Sequence, residues 1–205
     1  TELKSGLMSS TKLLDPDKTN VINEYHDQKS DGYCNKCGKE LYDKYKSALL
    51  DEKNKISSRL QKLISAIPVI STHSPLNWNY NILEMVTGQS TTGTDVISEF
   101  TSSFTDLFGA QSGRHNKKLK SGEDMCFAQL RKQALDAGGN AVIATDIDYS
   151  ELGAGKGMIM VCMAGTAVKL KNSDVLGQQK AKHIDELVSL NDRLRHLGQY
   201  KVPEY

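Results

Sequence analysis

The segment Met158–Val168 constrains the fold most strongly, because a strand of this composition is apolar on both faces. Alternate residues of a strand point to opposite faces of the sheet. One face carries Met158, Met160, Cys162 and Ala164, and the other carries Ile159, Val161 and Met163. A helix covers only one face, and a sheet with one face in water has no need of such a strand. We therefore expect the second face to meet another subunit or the flanking helices.

A second strand is predicted over Asn140–Tyr149, so that the two segments form a hairpin. Alternation places Val142, Ala144, Asp146 and Asp148 on one face of this strand. The glycine-rich turn at residues 151–157 joins strand to strand rather than strand to helix, so we do not expect it to bind a nucleotide phosphate. Residues 81–87 alternate as a further strand, which Gly88 is expected to end.

Helical spacing of apolar residues predicts helices over residues 41–67, 95–107, 115–137 and 180–197. The first of these packs on the body of the protein in the favoured interpretation, and a short coiled-coil contact between subunits is the alternative. Residues 1–32 are polar and are expected to be weakly structured, with a turn at Asp15–Asp17.

These elements predict an α/β protein of the α+β type, with a small antiparallel sheet and packed helices. Five segments are expected along the chain: residues 1–40 with a Cys-x-x-Cys motif, an amphipathic helix at 41–68, a linker at 69–80 anchored by Trp78, a sheet domain at 81–172, and a C-terminal helix and tail at 173–205.

The composition argues against several classes of function. The 205 residues carry a formal net charge of +1, so nothing in the charge predicts binding to nucleic acid or to an anionic membrane. No run of about 18 apolar residues is present to form a transmembrane helix. The polar N-terminus resembles no signal peptide, and the four cysteines do not follow the pattern of a secreted disulfide framework. We therefore expect a cytoplasmic protein.

The motif with the clearest chemical meaning is Cys34-x-x-Cys37, which is followed by Gly38. Two thiolates three residues apart on a tight turn can bind one zinc ion, and the glycine permits a conformation in which backbone amides point at the sulfurs. A structural zinc site has four ligands. The remaining ligands are expected from His26, from His73, or from the same motif of a neighbouring subunit.

Two alternatives to a zinc knuckle are an unligated thiol pair and a redox pair. The redox interpretation is disfavoured, because the sequence predicts neither a strand directly before the motif nor a helix directly after it. Cys126 lies on the apolar face of a predicted helix and is interpreted as a small core residue.

Asp146 and Asp148 are predicted to share a face, with side chains about 7 Å apart. In a ring-shaped oligomer their copies could converge and form a weak cation site. Two solvated carboxylates are the favoured interpretation, because carboxylates are mostly exposed. No second chemical group for acid–base catalysis is evident, so no catalytic residue is predicted.

Several short motifs follow one another between residues 83 and 168. They are Leu83–Gly88, the helical segment Asp95–Phe108, Gly109 and Ser112, Gly139–Val142, Asp146–Tyr149 and Gly165–Val168. This ordered set resembles the YbjQ-like family, which is described as heavy-metal-binding. The resemblance covers roughly residues 81 to 172. It implies a small α/β subunit of the dodecin-like class and a ring-shaped oligomer, commonly a pentamer, whose sheets pack around a central axis.

The expected function is that of a non-enzymatic, homo-oligomeric metal-binding and structural protein, which forms a pentameric ring or stacked rings. Its zinc knuckle contains Cys34 and Cys37, with His26 as a candidate third ligand. The expected subunit interface contains Met158, Met160, Val161 and Cys162. A reversible heavy-metal sensor or trafficking protein is the alternative. An enzyme with a site at a subunit interface is a third hypothesis, which no motif supports.

Overall fold

The computed structural model describes residues 12–91, 114–152 and 158–203, and for residues 114–118, 152 and 158 it describes the backbone alone. The helix predicted over residues 95–107 and most of the glycine-rich turn lie outside the described residues. The chain divides into two compact units. The first contains the chain up to Ser58 together with the chain from Asp192 onward, and the second is Arg59–Asn191.

The described residues form four α-helices and three β-strands. These are α1 (Pro16–Tyr25), α2 (Asn35–Leu63), β1 (Tyr80–Thr91), α3 (Arg114–Asp136), β2 (Ala141–Leu152), β3 (Met158–Leu170) and α4 (Gln178–Gly198). The strands are antiparallel, in the order β1-β3-β2. The predicted α+β fold with a small antiparallel sheet is confirmed. None of the described helices has the length and apolar composition needed to cross a membrane.

The central strand β3 is covered on one face by α3. Val161 and Met163 pack there with Val86 of β1 and with Cys126 and Leu130 of α3. Val161 is completely buried in this cluster. The expectation that Val161 meets another subunit is therefore corrected: within one chain it is a core residue, because α3 already occupies its side of the sheet.

The opposite face of β3 is covered at one end only. Val168 and Leu170 pack there with Ile143, and Ile70 and Trp78 lie against this cluster. Trp78 thus anchors the linker on the sheet, as the sequence predicts. The remainder of this face is called the open face below, and it carries Ile82, Met85, Thr87, Gln89, Asp146, Asp148, Cys162 and Ala164.

A bulge in β2 decides which side chains reach the open face. The pairing with β3 shifts between Ile143 and Asp146, and Ala144 has a left-handed φ of 53°. One extra residue exchanges the two faces of the strand beyond it. Val142 therefore points towards α3, whereas Asp146 and Asp148 lie on the opposite face. The simple alternation that placed all of them on one face is corrected by this shift.

Side chains of α3 cover the free edge of β1. The Gln133 side chain accepts a hydrogen bond from the amide of Thr87 at 3.2 Å and donates one to its carbonyl oxygen. Gln129 makes the same two contacts with Gln89, at 2.8 and 3.1 Å. An edge strand otherwise offers unpaired amides and carbonyls to other chains. The two glutamines take the place of a neighbouring strand over this stretch.

The N-terminal residues are more ordered than expected, because α1 forms where a turn was predicted. Asp15 caps this helix by accepting a hydrogen bond from the amide of Asp17 at 2.8 Å, and Pro16 occupies the first helical position. Both residues favour helix initiation at these positions. Val21 and Ile22 of α1 are then buried in the core of the first unit.

A charged network ties α1 to the last helix inside the first unit. Arg193 donates hydrogen bonds to both Glu24 and Glu52, and the Tyr200 hydroxyl donates to Glu24. Burial by itself would raise the pKa of Glu24, but hydrogen bonds from Tyr200, Arg193 and His196 outweigh it and lower this pKa to about 2. No sequence motif indicated this network, because its members are far apart in the chain.

We expect Gly88→Ala to destabilise the sheet domain by about 1–3 kcal/mol, because it overpacks a tight contact. Gly88 lies inside β1 rather than at its end, and a Cβ atom there would lie 2.7 Å from the carbonyl oxygen of Cys126. Urea unfolding measures the loss. Gly198→Ala is the control, because nothing lies within 4 Å of a Cβ atom at that position. Equal midpoints for the two variants would contradict the close approach.

Acid should destabilise the first unit through Glu24. A carboxyl group with a lowered pKa contributes stability that is present above its unfolded value near 4.5 and is lost as the pH falls towards 2. The contribution is on the order of 2–3 kcal/mol. Between pH 6 and 2 the free energy of unfolding, measured with urea, should therefore depend less on pH for Glu24→Gln than for the parent chain. Asp136→Asn, which removes an exposed partner of Lys132, should keep the parent's pH dependence.

Candidate functional site

The Cys34–Cys37 pair lies at the junction between an extended segment and α2. Cys34 forms an isolated antiparallel bridge with Leu13, and the amide of Asn35 donates to the carbonyl oxygen of Lys12 at 3.0 Å. Helix α2 begins at Asn35, six residues before its predicted start. The motif therefore begins at an isolated bridge residue, and the helix starts inside the motif, at its second residue. Among residues 12–33 no regular strand precedes the motif, as expected, whereas the expectation that no helix follows directly is corrected.

Gly38 has a different role from the one predicted. Its φ is not in the left-handed region, where the structure places Gly138 and Gly177. A Cβ atom at Gly38 would instead lie 2.9 Å from Cβ of Tyr33 and 3.2 Å from Cδ2 of Leu14. Glycine at this position lets the first turn of α2 pack closely against the segment that precedes it.

Backbone amides of the first turn stabilise a thiolate at Cys34. The amide of Cys37 donates to Sγ of Cys34 at 3.1 Å. The pKa of the Cys34 thiol is lowered, first by a hydrogen bond from the Cys37 side chain and then by amides of the first turn, including that of Cys37. The same thiol–thiol hydrogen bond, and the negative charge on Cys34, raise the pKa of Cys37. The two thiols therefore differ in chemistry, and the Cys37 side chain is exposed.

His26 is held by aromatic neighbours rather than by the thiols. Its Nδ1 atom lies 3.1 Å from the hydroxyl of Tyr45, and its ring centre lies 6.4 Å from that of Tyr33. Among residues 12–91, 114–152 and 158–203, no three His, Cys, Asp or Glu side chains form a group able to hold a metal ion. Cys34 and Cys37 fit half of a tetrahedral zinc site, and one chain does not supply the other half from these residues.

The open face brings Asp146 and Asp148 together with Cys162. Asp148 and Gln89 are the cross-strand partners of Cys162, and these residues border a shallow depression of about 190 Å³ with Asp146. Sequence reasoning assigned the aspartates to a cation site and Cys162 to a subunit interface. Their proximity was missed, because the bulge in β2 decides it.

The remaining cysteine, Cys126, is a core residue. Its thiol is completely buried and donates to the carbonyl oxygen of Val161 at 3.4 Å. Burial raises its pKa to about 12. A thiol in this environment stays protonated at neutral pH and is a poor nucleophile or metal ligand.

Comparison with known proteins places the sheet domain in a family. A family model described as "YbjQ_1: Putative heavy-metal-binding" matches residues 69–171. A UPF0145 protein of Actinobacillus pleuropneumoniae serotype 5b is 33% identical over 109 residues, which are 53% of this chain and 99% of that protein. The chain belongs to the YbjQ family. A UPF0145 protein of Anoxybacillus flavithermus is 40% identical over 43% of this chain and 83% of its own length.

The YbjQ match contains Asp146, Asp148 and Cys162 and leaves out Cys34 and Cys37. A crystal structure of a protein of unknown function from Pediococcus pentosaceus, assigned to the DUF74 family, aligns with 51% of this chain and 98% of its own, at 13% identity and a TM-score of 0.33. The segment that carries the thiol pair lies outside the YbjQ match, which begins at residue 69.

Iodoacetamide should modify Cys34 at lower pH than Cys37, because only the thiolate reacts and the first turn of α2 favours the thiolate of Cys34. Peptide mass spectrometry after short exposures from pH 5 to 9 gives the two rate profiles. Cys37→Ala should move the Cys34 profile towards the ordinary thiol value of about 8.5, because it removes the thiol donor. Indistinguishable profiles for the two cysteines in the parent chain would contradict the assignment.

Proposed function

We propose that the protein is a non-enzymatic, homo-oligomeric metal-binding protein in which Cys34 and Cys37 bind zinc. The observation that carries the proposal is the adjacent pair of thiols, one exposed and the other half-buried, at the start of α2. Amides that stabilise the Cys34 thiolate also favour metal binding, because a thiol must lose its proton to become a ligand. The description of the YbjQ family supports a metal in general, and zinc at this pair is our proposal.

The missing zinc ligands are proposed to come from Cys34 and Cys37 of a second copy. A structural zinc site requires four ligands, and two copies of the pair supply four thiolates in a symmetric arrangement. His26 is a less suitable third ligand, because it would have to leave its contact with Tyr45. Free thiols in all four cysteines also fit the reducing cytoplasm, where we propose that the protein acts.

Assembly of the sheet domain is proposed to use the open face. Ile82 and Met85 on this face are 70% and 74% exposed, although they lie in a regular strand. Clustered exposed apolar residues are typical of interaction surfaces. The edge of β1 is less available, because Gln129 and Gln133 already pair with it. A pentameric ring, as the YbjQ resemblance implies, would bury Met85, Met160 and Cys162, and shared zinc ions would join stacked rings.

Reversible heavy-metal sensing or trafficking is the second candidate. Cys162, a soft ligand, lies opposite Asp148 in the depression that Asp146 also borders. Copies of these groups brought together in a ring would form a site whose metal exchanges more readily than zinc in a tetrathiolate site. A metal that chelators remove while the fold persists would favour this function over the structural one.

Metal analysis of the purified full chain tests the zinc site. We expect about half an equivalent of zinc per chain, since two copies share one ion and a structural site is nearly full. Cys34→Ser and Cys37→Ser should each reduce zinc to near zero. Cys126→Ala is the matched control and should retain zinc, because Cys126 is a buried core residue. Less than about a tenth of an equivalent in the parent chain would refute the zinc proposal.

Sedimentation tests the proposed interface. Met85→Lys should lower the mass of the assembly, because it adds a charge to an apolar contact. Leu76→Lys is the control, because Leu76 is 87% exposed and lies in the linker rather than on the open face. A monomeric parent chain, or equal dissociation by both variants, would refute assembly through the open face.

A further inference from the structure

We propose that Cys34 and Cys37 form a reversible dithiol–disulfide couple, in which Cys34 is the attacking thiol and Cys37 the resolving thiol. The couple uses the thiols of the proposed zinc site, but it does not depend on zinc and operates in the metal-free chain. It goes beyond metal binding, because it gives the pair a redox reaction of its own.

The backbone around the pair prepares Cys34 for attack. Cys34 ends an extended segment that pairs with Leu13, and the next residue begins α2. The start of a helix stabilises a negative charge through its unpaired amides and its dipole. Here the amide of Cys37 donates directly to Sγ of Cys34 at 3.1 Å. The segment before the motif is held in place by the amide of Leu14, which donates to the carbonyl oxygen of Tyr33 at 2.8 Å.

Cys37 is placed to complete the reaction. The amide of Cys37 already contacts the Cys34 sulfur at 3.1 Å, so a small movement of the Cys37 side chain brings the two sulfur atoms together. The Cys34 side chain, which the disulfide reagent must reach, is half-buried rather than enclosed, and the neighbouring Cys37 side chain is exposed. The other cysteines are less suited: Cys126 is buried under the sheet, and Cys162 lies in a strand opposite Asp148.

The oxidant is a disulfide of the glutathione type, written RSSR. The Cys34 thiolate attacks one sulfur of RSSR, the S–S bond breaks, and one RS⁻ leaves as the mixed disulfide Cys34–S–S–R forms. Cys37 gives its proton to solvent, and its thiolate attacks Sγ of Cys34. The second RS⁻ leaves, and a Cys34–Cys37 disulfide remains. The protein loses two electrons and two protons, and RSSR gains both to become two thiols.

Only the reduced, dithiol form of the pair can bind zinc. Zinc binds thiolates, and neither sulfur is a thiolate once the disulfide has formed. Oxidation by a disulfide would therefore prevent zinc binding, and bound zinc would protect the pair from oxidation.

Glutathione titration of the full chain, stripped of metal with a chelator, tests the couple. Samples equilibrated in buffers of increasing glutathione disulfide are quenched in acid, alkylated and mapped by peptide mass spectrometry. The parent chain should lose the thiols of Cys34 and Cys37 together and form one internal disulfide. Cys126→Ala, which removes a buried core thiol, should behave as the parent. A parent chain that accumulates mixed disulfides with no Cys34–Cys37 bond would overturn the proposal.

Single substitutions assign the order of attack. Cys37→Ser should trap glutathione on Cys34, at least about tenfold faster at pH 6.5 than Cys34→Ser traps it on Cys37, because the amide of residue 37 donates to the Cys34 sulfur and stabilises the attacking thiolate. Cys34→Ala provides a second substitution at that position, and circular dichroism checks that each variant is folded. Equal rates of trapping would overturn the assigned order.

The redox proposal and the zinc proposal can be refuted independently of each other. A chain that forms the internal disulfide but binds no zinc refutes only the zinc site, and a chain that binds zinc but forms no disulfide refutes only the redox couple.

Discussion

The second unit depends on the need to cover β3 on both faces. Helix α3 covers one face at close range, because Gly88 leaves room for the backbone of Cys126. The linker and its Trp78 cover one end of the other face, where Ile143 and Val168 lie. What remains is the open face, with exposed Ile82 and Met85. A single chain thus satisfies most of the burial that β3 requires and leaves an apolar remainder exposed on the open face.

The bulge in β2 connects this packing to the chemistry of the sheet. Val142 must enter the core beside α3, while Asp146 and Asp148 cannot be buried there without partners. The extra residue at Ala144 meets both demands, since it turns the aspartates to the open side, where Asp148 pairs with Cys162. The polar and thiol groups of the open face are therefore a consequence of how the core is filled.

The chemistry of the thiol pair depends on backbone contacts rather than on packing of apolar side chains. Cys34-x-x-Cys37 by itself is compatible with a zinc knuckle, a redox pair or idle thiols. Pairing of Cys34 with Leu13 and the start of α2 at Asn35 make the two thiols unequal, because the amide of Cys37 in the first turn donates to the Cys34 sulfur. Residues near Leu13, which were expected to be weakly structured, thus contribute to the chemistry of the pair.

The sequence by itself determined the α+β class, the strand–turn–strand order around β3, the family and the buried nature of Cys126. These follow from local periodicity and from short motifs, which are properties of neighbouring residues. Tertiary structure decided the face of Asp146 and Asp148, the burial of Val161 and the network of Glu24 with Arg193 and Tyr200. Each of these depends on register or on pairing between distant segments, and a one-residue shift in register reverses the faces of a strand.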